Sequence, residues 1–243
     1  MNQEKKLVVI TGAAGGMGLE YIKQFSEQGY PLLLLDMNIE SIKHMASKNI
    51  LVNKVDVGDF KSFKESIESA EKTFGKTDLI INNAGIMMLG DMTKQDPKEW
   101  STMINVNILG VLNGTKIVLE NMISQNSGTI INISSIAGFK PFNNHAAYCA
   151  TKYAVHGLTE TIRQEVSGSN VRVLLISPGA VETKLLNRTT DKSIIEGYQD
   201  WKTTMGGKVV DPAEVVKTAL FMYQMPQEIS VREVVIATTK QDL

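Results

Sequence analysis

A single cysteine, Cys149, rules out any intrachain disulfide in the 243-residue chain. That scarcity fits a reducing cytosol, so a cytoplasmic location is expected. Histidine is scarce as well. His44, His145 and His156 are scattered, and no Cys/His cluster offers a zinc site, so no metal is expected. Charge of one sign is absent: 25 basic residues stand against 26 acidic ones, for a net charge of −1. Nothing in that balance calls for nucleic acid or an anionic membrane as partner. No stretch approaches the roughly 20 consecutive apolar residues of a membrane span. Met1–Lys6 leads straight into the short apolar run Leu7–Ile10, without the longer apolar region and cleavage site of a secretory signal. Linkers, repeats and low-complexity segments are missing too. With 43% hydrophobic residues, enough for a full core, residues 1–243 are expected to form one domain.

What is present is alternation. Short apolar runs recur at Leu7–Thr11, Pro31–Asp36, Leu51–Asp56, Leu79–Asn82, Thr129–Ser134, Val171–Ser177 and Val231–Ala237. Most are continuous, as strands covered on both faces should be. Between them lie helix-like stretches. Leu19, Ile22 and Phe25 have helical spacing, Asp59 suits an N-cap before Phe60, and Asp211-Pro212 suits a helix start. Strand–helix alternation predicts an α/β fold: a mostly parallel, seven-stranded sheet with helices on both faces and right-handed crossovers. Ligands bind such sheets outside the carboxyl ends of the strands.

The first strand is followed by Thr11-Gly12-Ala13-Ala14-Gly15-Gly16-Met17-Gly18 and then a helix. Gly12, Gly16 and Gly18 permit a tight turn and close approach of the backbone to a pyrophosphate, with Met17 among them. The helix N-terminus adds free N–H groups and the positive end of its dipole. Asp36 ends the second strand, about 20 residues on, where a carboxylate accepts hydrogen bonds from both hydroxyls of an adenine-side ribose. It would repel a 2′-phosphate, and neither Met37 nor Asn38 supplies a cation to rescue one. NAD is therefore expected over NADP. Asp56-Val57 follows the third strand, where an adenine edge would lie. Asn82-Asn83-Ala84-Gly85 follows the fourth; Asn side chains can tie loops together, and Ala84-Gly85 lets a ligand approach the backbone.

Tyr148 and Lys152 stand at i and i+4 near the start of a long helical stretch, on one helix face. A free Tyr is a poor base at neutral pH, with a pKa of roughly 10, and a nearby ammonium favours its phenolate. The pair therefore suits general acid/base work in alcohol–ketone interconversion.

The ordered set Thr11-Gly12-x-x-x-Gly16-x-Gly18, Asn82-Asn83-Ala84-Gly85, Ser135, Tyr148-x-x-x-Lys152 and Pro178-Gly179 resembles the short-chain dehydrogenase/reductase family, in its compact single-domain branch. The resemblance runs from residue 7 to about 185 and implies a Rossmann-type, doubly wound fold. It implies that Tyr148 is the catalytic acid/base and that Lys152 lowers its pKa and holds the nicotinamide ribose. Ser135, rather than Ser134, matches the residue that holds the substrate oxygen. Asn107 matches the residue that keeps a water relay to the lysine. Pro178-Gly179, Val181 and Thr183 match positions at the carboxamide end of the cofactor. A homodimer or homotetramer is implied too. The chain departs from the family in Cys149, where many members have Ser or Gly, and in lacking a Gly-rich C-terminal segment; Cys149 is expected to be a small packed residue.

Substrate choice is expected in two places. One is the loop after Ser135, with Phe139. The other is the stretch from about 184 to 210, with Leu185, Ile194, Tyr198 and Trp201, which reads as a lid. Ile86–Leu89 is expected to line the opposite wall, and His145 to touch substrate. Together these suggest an uncharged, largely apolar alcohol or ketone. Two other readings stay open: an NADP(H)-dependent carbonyl reductase of the same family, and a non-catalytic NAD-binding regulator on the same fold. An extended-branch epimerase would need a larger C-terminal domain than the chain holds.

Overall fold

The computed structural model describes residues 5–241; residues 1–4 of the N-terminal segment read above, and residues 242–243, lie outside the described residues. Seven strands form one sheet: β1 (Leu7–Thr11), β2 (Leu32–Asp36), β3 (Ile50–Lys54), β4 (Thr77–Asn82), β5 (Gly128–Ile133), β6 (Val171–Pro178) and β7 (Glu233–Ile236). Their order is β3-β2-β1-β4-β5-β6-β7, and every pairing is parallel. "Mostly parallel" thus becomes wholly parallel. The central strands have almost no exposed residue, because helices cover both faces of the sheet; hence their continuous apolar runs.

The helices are α1 (Gly16–Glu27), α2 (Phe60–Phe74), α3 (Pro97–Ile104), α4 (Gly110–Ser124), α5 (Ala146–Glu165), α6 (Lys192–Thr204) and α7 (Pro212–Gln224). Asp59 caps α2 by accepting from the Lys61 and Ser62 N–H groups, and Asp211 caps α7 through Ala213 N–H. One core cluster packs α1 and α7 on one face, through Tyr21, Phe25, Val216 and Leu220. The other packs α2, α4 and α5 on the opposite face, through Phe63, Ile67, Val118 and Ile162.

Every expected strand except β1 shifts at an end by one or two residues. Pro31 precedes β2, Asp56 lies beyond β3, and β7 is shorter than Val231–Ala237. Pro31 has no N–H to give the ladder, and Asp56 turns the chain by accepting the Gly58 N–H at 2.8 Å. The expectation about membrane spans also needs amending. The helical run Pro97–Ser124 is 28 residues long and, by length and composition, apolar enough to cross a membrane. Asn, Gly and Lys interrupt it, so it does not stand out as one apolar run. Here it lies against the sheet with Met103, Asn107, Val111, Val118 and Met122 buried.

Candidate active site

The strand order reverses at β1, between β2 and β4, so a crevice opens beyond the carboxyl ends of β1 and β4. The glycine loop fills one side of it. Gly12 has φ +64°, and a Cβ there would lie 2.7 Å from Ala84 Cα; one on Gly18 would lie 2.2 Å from Gly12 O. Both positions need glycine on conformational or steric grounds. Helix α1 starts at Gly16 with no side-chain cap and no acidic residue in its first turn. Such an end suits an anionic ligand, so these residues fit a dinucleotide pyrophosphate.

Asp36 closes the loop from β2. Its Oδ2 accepts the Ala14 N–H at 3.0 Å and its Oδ1 the Asn38 N–H at 2.9 Å. Each oxygen keeps a further acceptor site. Met37, beside it, is exposed. On the other side, Asn83 ties the β4 loop to the glycine loop. Its Nδ2 donates to Thr11 O and Gly12 O, while Thr11 Oγ1 accepts the N–H groups of Asn83 and Ala84. Val57 is buried, and its carbonyl accepts from Asn113 Nδ2. Pro178 ends β6. Gly179 donates its N–H to Ile236 O, and Val181 bridges to Val210. Thr183 packs on the start of α1; a Cβ on Gly16 would meet its Cγ2 at 3.1 Å.

Tyr148 and Lys152 are buried on α5, one turn apart, with Lys152 Nζ 5.8 Å from the Tyr148 ring centre. The Ser135 side chain lies beside the Tyr148 hydroxyl and favours its phenolate. Lys152 Nζ donates to Ile133 O at 2.9 Å. Burial pulls its pKa down to about 8. Burial also pushes the Tyr148 phenol up; the Ser135 side chain opposes this, and Tyr198 and Cys149 add to it. Desolvation disfavours the charged forms of both Tyr148 and Lys152.

Asn107 lies in a π-helical turn, Asn105–Leu109, between α3 and α4. Such turns often mark functional positions. Its side chain bonds the Ile86 main chain both ways and donates to Thr151 Oγ1 at 3.0 Å. A Cβ on Gly85 would lie 3.6 Å from Asn107 Oδ1 and 3.7 Å from Lys152 Nζ, so both polar groups converge there. Neither Thr151, an unspecified position of Tyr148-x-x-x-Lys152, nor Asn113 stands out in the sequence; only the fold brings them in.

A cleft of about 1010 Å³ adjoins Ser135 and Tyr148. His145, Leu185, Trp201, Met87, Leu89, Met17, Val181 and Thr183 line it, as does Tyr198. Helix α6 spans one side, and Thr189, ahead of it, accepts the Leu89 N–H at 3.0 Å. Among the expected substrate residues, Ile86 and Met88 are not in the lining, and neither is Phe139. Phe139 is 41% exposed and packs edge-on against His156, because the turn Ile136–Gly138 carries it past the mouth. Cys149 is buried, as expected of a packed residue. No cluster of metal-ligating side chains occurs among the described residues.

The family model for short chain dehydrogenase matches residues 6–193. An uncharacterized oxidoreductase of Staphylococcus saprophyticus is 37% identical over 100% of this chain and 99% of its own length. Among solved structures, the closed form of a serine dehydrogenase complexed with NADP+ superposes with a TM-score of 0.89, at 26% identity, over 98% of this chain and 96% of that one. A 3-ketoacyl-(acyl-carrier-protein) reductase from Brucella melitensis complexed with NADH superposes at 0.83, at 26% identity, over 96% and 97%. The chain belongs to the short chain dehydrogenase family of oxidoreductases.

Proposed function

We propose that this protein interconverts a secondary alcohol and a ketone or aldehyde with NAD(H), using Tyr148 as general acid/base. The observation that carries this reading is that Ser135 and Tyr148 line one cleft, with Lys152 Nζ behind the Tyr148 ring and meeting Asn107 near Gly85. The bound nicotinamide supplies the hydride acceptor or donor. In oxidation the Tyr148 phenolate takes the alcohol proton, and in reduction the phenol returns it. Ser135 holds the substrate oxygen. Burial alone opposes the phenolate, so the Lys152 ammonium is the compensating charge, and Asn107 fixes the main chain around it. Val181 and Thr183 hold the carboxamide end of the cofactor, and the segment around α6 acts as a lid.

Asp36 supports NAD, because its carboxylate stands where a 2′-phosphate would need a cation and Met37 offers none. An NADP(H)-dependent carbonyl reductase is the second reading, favoured by the NADP+ of the serine dehydrogenase neighbour. The cleft lining favours an uncharged, largely apolar substrate. Exposed Ile104, Leu109 and Leu112 on one helical run, with Tyr153 on α5, favour a homo-oligomer. A cytoplasmic protein with no nucleic-acid or membrane partner completes the reading. The test is a panel of secondary alcohols and ketones with each cofactor, read at the absorbance of the reduced nicotinamide. Turnover with NAD(H) but little with NADP(H) is expected; no turnover with either would leave the regulator reading.

A further inference from the structure

Four aromatic rings form a closed circuit over the cleft. Phe142 touches His145 (ring centres 5.6 Å apart), His145 faces Tyr198 (6.3 Å, 29° between planes), Tyr198 touches Trp201 (5.4 Å), and Trp201 returns to Phe142 (6.0 Å). Two rings come from the loop before α5 and two from α6. The circuit reaches the reacting centre, since His145 also meets the Tyr148 ring edge-on at 6.3 Å. Burial lowers the His145 pKa, so its imidazole is neutral at pH 7 and acts as a plain aromatic ring.

These rings are close enough to touch, so no flat group slides between neighbours. They present a continuous aromatic wall instead. Met87, Leu89 and Leu185 add aliphatic surface to the lining. Two cations line the cleft: Lys202, held by Glu182 at 3.1 Å, and Lys184. A wall of leucines would take any apolar group by area alone. An aromatic wall adds the quadrupole preference of ring edges and faces for one another, worth several-fold in affinity for each good pair.

We propose that the substrate carries an aryl ring, or an equally flat conjugated group, on its carbinol carbon, and that Tyr198 and Trp201 select it. The proposal rests on the alcohol–ketone reading above and narrows its substrate class. The same two rings join α6 to the loop before α5, so ring recognition and closure over the substrate share one contact.

The test uses a matched pair, 1-phenylethanol and 1-cyclohexylethanol, which share a carbon skeleton and differ in ring aromaticity. The ratio of their kcat/KM values is measured with NAD+ for the wild type, Tyr198→Leu and Trp201→Leu. Intrinsic reactivity is common to all three proteins and drops out of the comparison. Each variant is expected to lower the phenyl-to-cyclohexyl ratio roughly threefold to tenfold, with the NAD+ KM unchanged. An unchanged ratio, or a fall in both substrates alike, overturns the proposal. Dissociation constants of acetophenone and cyclohexyl methyl ketone for the NAD+-bound protein, by ligand-observed NMR, separate this from the reaction itself. No turnover with tighter acetophenone binding that Trp201→Leu abolishes would overturn the reaction and keep the aryl site. No discrimination in binding would overturn the aryl site whatever the turnover.

Discussion

The side chain of Asn107 and the main chain of Ile86 exchange two hydrogen bonds, Ile86 N–H to Oδ1 and Nδ2–H to Ile86 O, each 2.9 Å long. A second donor hydrogen of the same amide reaches Thr151 Oγ1. One buried amide therefore holds the loop after β4, the π-helical turn and α5 in a fixed relation. Asn107→Leu keeps the bulk and leaves the Ile86 groups unpaired. A stability loss of about 1–3 kcal/mol is expected. Urea unfolding checks it. Thr151→Val, which removes the third bond and the Thr151 hydroxyl's own bond to Tyr148 O, should lose about 1–2 kcal/mol.

Lys152 is buried, and its pKa is brought down to about 8 from 10.5 by desolvation. Below pH 8 the group is charged in both folded and unfolded chains, and its burial lowers stability. Between about pH 8 and 10.5 the unfolded chain binds the extra proton, so stability from this group rises with pH. Lys152→Met should therefore stabilise the protein at pH 7. The charge-burial term is about 3 kcal/mol, offset by about 1–2 for the orphaned Ile133 carbonyl. A net gain on the order of 1–2 kcal/mol follows. The gain should vanish or reverse near pH 10.5, while turnover is lost at every pH. Denaturant unfolding at the two pH values, beside an activity assay, is the check.

Asp36 stands against a 2′-phosphate, and Met37 beside it is exposed and uncharged. Asp36→Ala combined with Met37→Arg should raise kcat/KM for NADP relative to NAD by roughly tenfold or more, equivalent to about 1.4 kcal/mol. The wild type should favour NAD. A wild type that already favours NADP would show that Asp36 serves only to hold Ala14 and Asn38.

Thr189 accepts the Leu89 N–H in a buried bond that ties the segment before α6 to the loop after β4. Thr189→Val strands that N–H. The expected result is a several-fold rise in substrate KM with the cofactor KM unchanged, and a stability loss of about 1 kcal/mol. Steady-state kinetics with each reactant varied in turn separates the two.

Most of the fold was legible because both-face burial writes itself as continuous apolar runs such as Leu32–Leu35 and Val173–Ile176. Asp36, Asn83, Ser135, Tyr148 and Lys152 were legible as motif residues. Thr151, Asn113 and Thr189 were not, because their roles depend on hydrogen bonds across 44, 56 and 100 residues of chain. Phe139 was misplaced because a short turn decides which side of the mouth it faces. The amphipathic Pro97–Ser124 run shows the same limit: composition does not say whether sheet or lipid covers a helix.

The central claim is that the Tyr148 hydroxyl carries the proton, and Tyr148→Phe removes that one atom. The direct measurement is NAD-dependent turnover of the best secondary alcohol by wild type and variant, with NADH affinity measured alongside by fluorescence. A loss of at least about a hundredfold in kcat is expected, with NADH affinity kept within about threefold, or roughly 0.65 kcal/mol. Turnover retained in Tyr148→Phe would contradict that claim.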